Sequence, residues 1–165
     1  MKQKLTNLAL GELVAVVVFW INFFLFKKLI TTTKSLISIS FSLFILSFIL
    51  VQGSIFWCIL IKRISKQGFA AKYTGKIYNK LKILDVILLC IGVPVIILNY
   101  STFFTMIVSF TIWIFAVIEW VNYYKLQLSY SLNPVVLLKY IIQRKLRKSR
   151  IANEIDNSFD FETYG

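Results

Sequence analysis

One uncharged run constrains the fold more than any other feature of the sequence. The 27 residues from Ser35 to Ile61 include no Asp, Glu, Lys or Arg. A helix rises about 1.5 Å per residue, so this run would reach ~40 Å, which exceeds the ~30 Å hydrocarbon core of a bilayer. Lys34 precedes the run, and Lys62 and Arg63 follow it. The run therefore predicts a membrane-spanning helix.

The composition of the whole chain is also that of a membrane protein. Of the 165 residues, 58% are hydrophobic, whereas about 45–50% is usual in soluble domains. The apolar runs predict four spans at about residues 8–26, 35–61, 83–98 and 103–121. The first run is too long for the apolar region of a signal peptide, so we expect it to be an uncleaved span. The sequence thus predicts an all-α integral membrane protein whose residues 1–126 form a four-helix transmembrane bundle.

The positive charges predict how this bundle is oriented. The net charge is +12, and the basic residues lie between and after the apolar runs. If the N-terminus is inside, sixteen of the 19 Lys and Arg residues fall on inner segments and three on outer ones. The positive-inside rule then places both termini in the cytoplasm. We expect a plasma membrane, of a bacterium, with the anionic inner leaflet as partner and no nucleic acid.

The connections between the spans carry their own expectations. Residues 62–82 hold seven basic residues and are expected to form the longest loop, with short interfacial helices. Gly92 and Pro94 should kink the third span near its outer end. A broken-helix binding site of the kind found in transporters is the alternative for this Gly-x-Pro sequence.

The pattern changes after Leu126. Asn133 and Pro134 are typical of a helix start, and apolar residues then recur at helical spacing with basic residues around them. Residues 127–153 therefore predict a basic amphipathic helix on the inner leaflet. Its candidate lipid-binding or partner-binding residues are Lys139, Arg144, Lys145, Arg147, Lys148 and Arg150. Residues 154–165 contain four of the seven acids and predict a flexible acidic tail.

The other three acids lie near the predicted cytoplasmic ends of spans. Ionisable groups at membrane depth are costly and suggest a functional site. The candidate ion-binding or substrate-binding residues are Glu12, Gln52, Asp85 and Glu119. The structural alternative, which we favour, is that the acids form salt bridges at helix ends and that Gln52 makes an interhelical hydrogen bond.

Small residues recur on one face of the second span. Ser40, Ser47 and Ser54 are spaced by seven residues, and small side chains let helices approach closely in lipid. We interpret this stripe as a packing surface, inside the bundle or across a dimer, with a hydrophilic pore lining as the alternative.

The sequence also excludes several kinds of chemistry. It has no histidine, which excludes a histidine-ligated metal, a Ser-His-Asp triad and a Cys-His dyad. Cys58 and Cys90 both lie in apolar runs, without a zinc or disulfide spacing. We therefore expect no enzyme activity, no cofactor and no metal.

Two function classes remain. The leading one is a non-enzymatic membrane protein of accessory, immunity or regulatory type, which acts through lipid, a second copy or another membrane protein. The alternative is a small oligomeric transporter or channel that uses the acids at its cytoplasmic mouth.

Overall fold

The computed structural model describes residues 2–30, 32–65, 71–125 and 148–163. These residues form five α-helices and no strand. The helices are α1 (Lys2–Phe26), α2 (Thr33–Ser65), α3 (Ala71–Leu98), α4 (Phe103–Tyr124) and α5 (Arg150–Thr163), with a short 3-10 helix at Lys27–Leu29.

Four of these helices are long and apolar enough to cross a membrane. Their candidate spans are Leu5–Phe26, Thr33–Ile64, Tyr73–Leu98 and Phe103–Tyr124. Large apolar side chains lie on their outer surfaces, as at Leu25 and Phe104, which are 69% and 72% exposed. So much exposed apolar surface is typical of helices that face lipid. The predicted all-α, multi-pass membrane fold is therefore confirmed.

The connection between the second and third spans needs a correction. α2 continues to Ser65 and α3 already begins at Ala71, so most of the expected loop at 62–82 is helical. Charge marks where a helix leaves the hydrocarbon, but it does not end the helix, because lysine is a good helix former whose stem can lie along apolar surface. Lys62 and Arg63 also lie in the last turn of α2, where the helix dipole favours cations.

The third span is also continuous where a break was considered. α3 contains Pro94 and extends past it to Leu98. The alternative interpretation of Gly92 and Pro94 as a broken-helix binding site is therefore wrong for this helix, all of which the structure describes.

The chain divides into two compact units. The first comprises residues 1–69 and 84–117, and the second comprises residues 70–83 and 118–165. α2 is the central helix of the first unit, since 56% of the residues in an apolar 18-residue segment of it are buried, against 6% in the corresponding segment of α1. Its buried stripe has alternating steps of three and four residues, which is the spacing of helices that pack along a shared seam. The stripe consists of Ser35, Ser38, Ser42, Ile45, Ile49, Gln52 and Phe56, each at most 6% exposed.

In the second unit, Ser149 connects the end of α4 to the start of α5. Its hydroxyl donates to the Tyr123 carbonyl, and its backbone N–H donates to the Lys125 carbonyl at 3.3 Å. The same hydroxyl accepts the N–H of Ala152 at 3.0 Å, which is the hydrogen bond of a helix N-cap. α4 and α5 thus share one serine that satisfies backbone groups of both.

The structure describes only part of the C-terminal segment, residues 148–163. α5 runs from Arg150 to Thr163, so residues 154–163 are helical where a flexible tail was predicted. The Ser149 cap and the buried pair Ile151 and Ile155, one turn apart, explain this helix. The predicted helix start at 133–134 and the candidates Lys139, Arg144, Lys145 and Arg147 lie outside the described residues, whereas Lys148 and Arg150 are described and exposed.

Candidate functional site

A buried hydrogen bond joins α2 to α3. Gln52 Nε2 donates to Asp85 Oδ1 at 2.8 Å, and the two residues are 6% and 0% exposed. Asp85 points inward because it shares a helical face of α3 with Leu89 and Ile96, which are also buried. An unpaired polar group inside a membrane protein costs several kcal/mol, as an order of magnitude. The pair therefore makes two polar residues compatible with an apolar interior.

A second pair of contacts joins α2 to α1. Ser54 Oγ donates to the Ala9 carbonyl at 3.0 Å, and Trp57 Nε1 donates to Glu12 Oε1 at 2.9 Å. Each helix contributes two residues spaced by three, so they lie on consecutive turns of the same face. These contacts hold α1 against α2 near the start of α1.

These contacts bring three of the four candidate residues to one stretch of α2. Gln52 and Trp57 are five residues apart, which corresponds to about 8 Å along a helix axis. Glu12 and Asp85 therefore contact the same short part of α2. Glu119 belongs to the second unit, where it accepts a hydrogen bond from Asn122 Nδ2 at 3.3 Å.

The serine stripe is divided between two roles. Ser47 accepts the indole N–H of Trp20 at 3.0 Å, and Ser54 binds α1 as described above. Ser40 instead donates to the Ile37 carbonyl of its own helix. The packing interpretation thus fits two of the three serines.

A further set of hydroxyls between α2 and α4 was missed by the sequence analysis. Ser38 Oγ donates to Ser109 Oγ at 2.9 Å, and the hydroxyls of Ser35 and Thr105 lie 3.1 Å apart. In the sequence, spacings of three and four residues connect Ser35 and Ser38 to Gln52, which indicates that they share one face of α2. Their partners on α4 could not be predicted from this spacing, because the periodicity of α2 does not show which face of α4 is turned inward.

Trp113 was also missed, although it fixes the packing of α3 against α4. Its Nε1 donates to the Leu89 carbonyl at 3.0 Å. A Cβ atom placed on Gly92 would lie 2.8 Å from Trp113 Cδ1 and 3.1 Å from Ile45 Cδ1. Gly92 is therefore needed for the close approach of three helices.

The chemistry that this cluster can support is limited. One oxygen of each carboxyl group, Glu12 Oε1 and Asp85 Oδ1, accepts a neutral N–H, and the described residues contain no group of three or more His, Cys, Asp or Glu that could hold a metal ion. Cys58 and Cys90 are exposed free thiols on the helix surfaces. A buried carboxyl such as Asp85 could still bind a proton or a small cation.

The second unit contains a cleft of about 310 Å³ that is lined in part by basic side chains. Three of its seven described lining residues are lysines; the seven are Lys82, Tyr124, Lys125, Lys148, Ala152, Ile155 and Asp156. Lys148 Nζ lies 2.7 Å from Asp156 Oδ2, and Lys125 Nζ lies 5.4 Å from the centre of the Trp120 ring. Of the basic residues predicted to bind lipid, Lys148 lines the cleft. Lys82 and Lys125 were not predicted, although both adjoin apolar spans in the sequence.

Comparisons with known proteins do not supply a function. No protein-family model matches the chain, and no curated protein or solved structure is detectably similar to it. What the protein does must therefore be inferred from the polar contacts of the first unit and the cleft of the second unit.

Proposed function

We propose that the protein is a non-enzymatic membrane protein of accessory, immunity or regulatory type. It acts in a plasma membrane, with both termini in the cytoplasm, through contacts with anionic lipid, with a second copy or with another membrane protein. The proposal rests on one observation: polar side chains in the first unit form hydrogen bonds that join one helix to another.

The hydrogen bonds of the first unit support a structural role for its polar residues. In lipid, helix association depends on close packing and on hydrogen bonds worth about 0.6–2 kcal/mol each. Gln52 with Asp85, and Trp57 with Glu12, are such bonds. Side chains that hold the bundle together are poorly suited to release and rebind a transported ion.

The distribution of charge supports contact with lipid. Lys82 and Lys125 adjoin apolar spans, and Lys148 lies beside them in the second unit. Lysines at such positions attract the anionic headgroups of the cytoplasmic leaflet. Aromatic residues at the end of α4, including Trp120 and Tyr124, are typical of the lipid–water boundary.

The alternative function is that of a small oligomeric transporter or channel. One observation favours it: Asp85 is a carboxylic acid that is fully buried in a spanning helix. Intramembrane acids of this kind often carry protons or cations. In that case Asp85, with Glu12 and Gln52 near it along α2, would form the ion site.

A flux measurement separates the two functions. The full chain is reconstituted into liposomes loaded with fluorescent reporters of H⁺, Na⁺ or K⁺, and ion gradients are imposed. We expect the same fluxes as in protein-free liposomes, for the native chain and for Asp85→Asn alike. A flux that requires the native chain and disappears in Asp85→Asn would show that the protein is a transporter or channel.

A double-mutant cycle tests the structural role of the pair directly. Asp85→Leu or Gln52→Leu alone should lower stability by about 1–2 kcal/mol, because each change removes one partner of a buried hydrogen bond. The double variant should be less destabilised than the sum of the two, since neither group of the pair remains. Thermal melting in an uncharged detergent measures this. Purely additive effects would contradict the pairing.

A further inference from the structure

We infer that the lysine-lined cleft of the second unit is a binding site for a phosphate-bearing anion, and that its ligand is the headgroup of an anionic phospholipid. This inference rests on the proposed contact with lipid. It goes further by assigning that contact to Lys82 and Lys125, with a smaller contribution from Lys148.

The charge in the cleft is suited to an anion. The described residues that line it include three lysines and one aspartate, which together carry a net charge of +2. Asp156 is held by Lys148 in an exposed ion pair, so it offsets that one cation. Neither Lys82 nor Lys125 has a carboxylate partner among the described residues. These two ammonium groups are therefore available to a ligand.

The size and walls of the cleft limit what can enter. A volume of about 310 Å³ is at the lower end of the ~300–1,000 Å³ range of small-molecule sites. Ala152 and Ile155 of α5 add apolar surface beside the lysines. Strongly hydrated ammonium groups bind phosphate as point charges, so a compact phosphate group with an adjoining apolar part fits this lining.

The positions of the lysines in the chain favour a lipid as the source of the phosphate. Lys82 comes immediately before the apolar run of α3, and Lys125 directly follows α4. Lipid phosphates lie at the ends of the apolar parts of spanning helices. Lys125 is also near the ring of Trp120, a residue type that is enriched at this boundary.

Soluble short-chain lipids test the inference on the full chain in an uncharged detergent. Dihexanoylphosphatidylglycerol is titrated against the protein, with dihexanoylphosphatidylcholine as the neutral lipid and glycerol 3-phosphate as the free phosphate. Binding is followed by the shift in melting temperature at constant ionic strength. The test variant is Lys82→Gln with Lys125→Gln, and the control is Lys27→Gln with Lys28→Gln, two exposed lysines outside the cleft lining.

We expect phosphatidylglycerol to bind the native chain more tightly than phosphatidylcholine or glycerol 3-phosphate. Each cleft substitution should weaken phosphatidylglycerol binding about fivefold, and the control pair should leave it unchanged. Replacement of Lys82 and Lys125 by arginine should retain binding, which shows that charge is needed. Melting without lipid verifies that the glutamine variant is folded. If that variant does not fold, the two single substitutions are compared in its place.

Three other results have distinct meanings. Binding of glycerol 3-phosphate as tight as that of phosphatidylglycerol, lost in the cleft variant, would keep the phosphate site but overturn the lipid as its ligand. Phosphatidylglycerol binding that survives in the cleft variant would overturn the inference and leave the proposed lipid contact intact, at another segment. Absence of any preference for phosphatidylglycerol in the native chain would overturn the inference together with the lipid part of the proposed function.

Discussion

At the scale of single residues, the interior of the first unit depends on close fit as much as on hydrogen bonds. Gly92 lies where α3 meets Trp113 of α4 and Ile45 of α2. The indole of Trp113 is held by its hydrogen bond to the Leu89 carbonyl, so it cannot move away without losing that bond. A larger residue at position 92 must therefore displace a neighbour.

Gly92→Ala should destabilise the protein by about 1–3 kcal/mol through overpacking. Gly11→Ala is the matched control, because nothing lies within 4 Å of its new methyl group. In a helix, alanine is favoured over glycine by up to about 1 kcal/mol, so the control should be neutral or stabilising. Thermal melting in an uncharged detergent gives both values. Equal stabilisation by the two substitutions would contradict the close approach at Gly92.

Single residues were predicted from the sequence with uneven success. An interhelical hydrogen bond from Gln52 was expected, because a polar amide in an apolar run needs a partner. Its partner Asp85 was identified only as a separate candidate site, since pairing depends on how two helices are rotated and aligned. Trp113 gave no signal at all, because an aromatic residue in an apolar span can face either lipid or a neighbouring helix.

At the scale of helices, hydrophobicity predicted where the chain crosses the membrane better than where the helices end. The spans were found, but α3 begins at Ala71, twelve residues before the predicted start at Ile83. The basic residues there were interpreted as a loop, although they lie on a helix that continues beyond the apolar run. Hydropathy reports contact with lipid, whereas helix ends depend on capping and on breakers such as proline.

Ser149 provides a test of how α5 is held. Ser149→Ala removes the hydroxyl that caps the Ala152 N–H and donates to the Tyr123 carbonyl. Loss of a cap costs about 1 kcal/mol, and loss of a second hydrogen bond adds a similar amount. We expect amide hydrogens of Ile151 to Asp156 to exchange about tenfold faster or more in detergent micelles.

The control for this test is Ser40→Ala. The Ser40 hydroxyl donates to the Ile37 carbonyl of the same helix, so exchange in α5 should not change. Unaltered protection of α5 in Ser149→Ala would show that this helix does not depend on the cap.

At the scale of the whole molecule, the prediction of four spans and an all-α fold is confirmed, and its source is the length of the apolar runs. The central place of α2 also agrees with its being the longest uncharged run. Hydropathy does not show which distant residues are in contact. It therefore predicts neither the packing order of the helices nor the lysine cleft of the second unit. The function proposed from these contacts requires that the lysine-rich segments face the cytoplasm.

Cysteine labelling in intact cells tests this requirement most directly. Cys58 and Cys90 are replaced by alanine, and single cysteines are introduced as Thr32→Cys, Ser101→Cys or Gln67→Cys. A maleimide that cannot cross membranes is added before or after permeabilisation. We predict that the cysteines at 32 and 101 are labelled in intact cells and that the cysteine at 67 is labelled only after permeabilisation. Labelling of position 67 from outside, with 32 and 101 protected, would contradict the account.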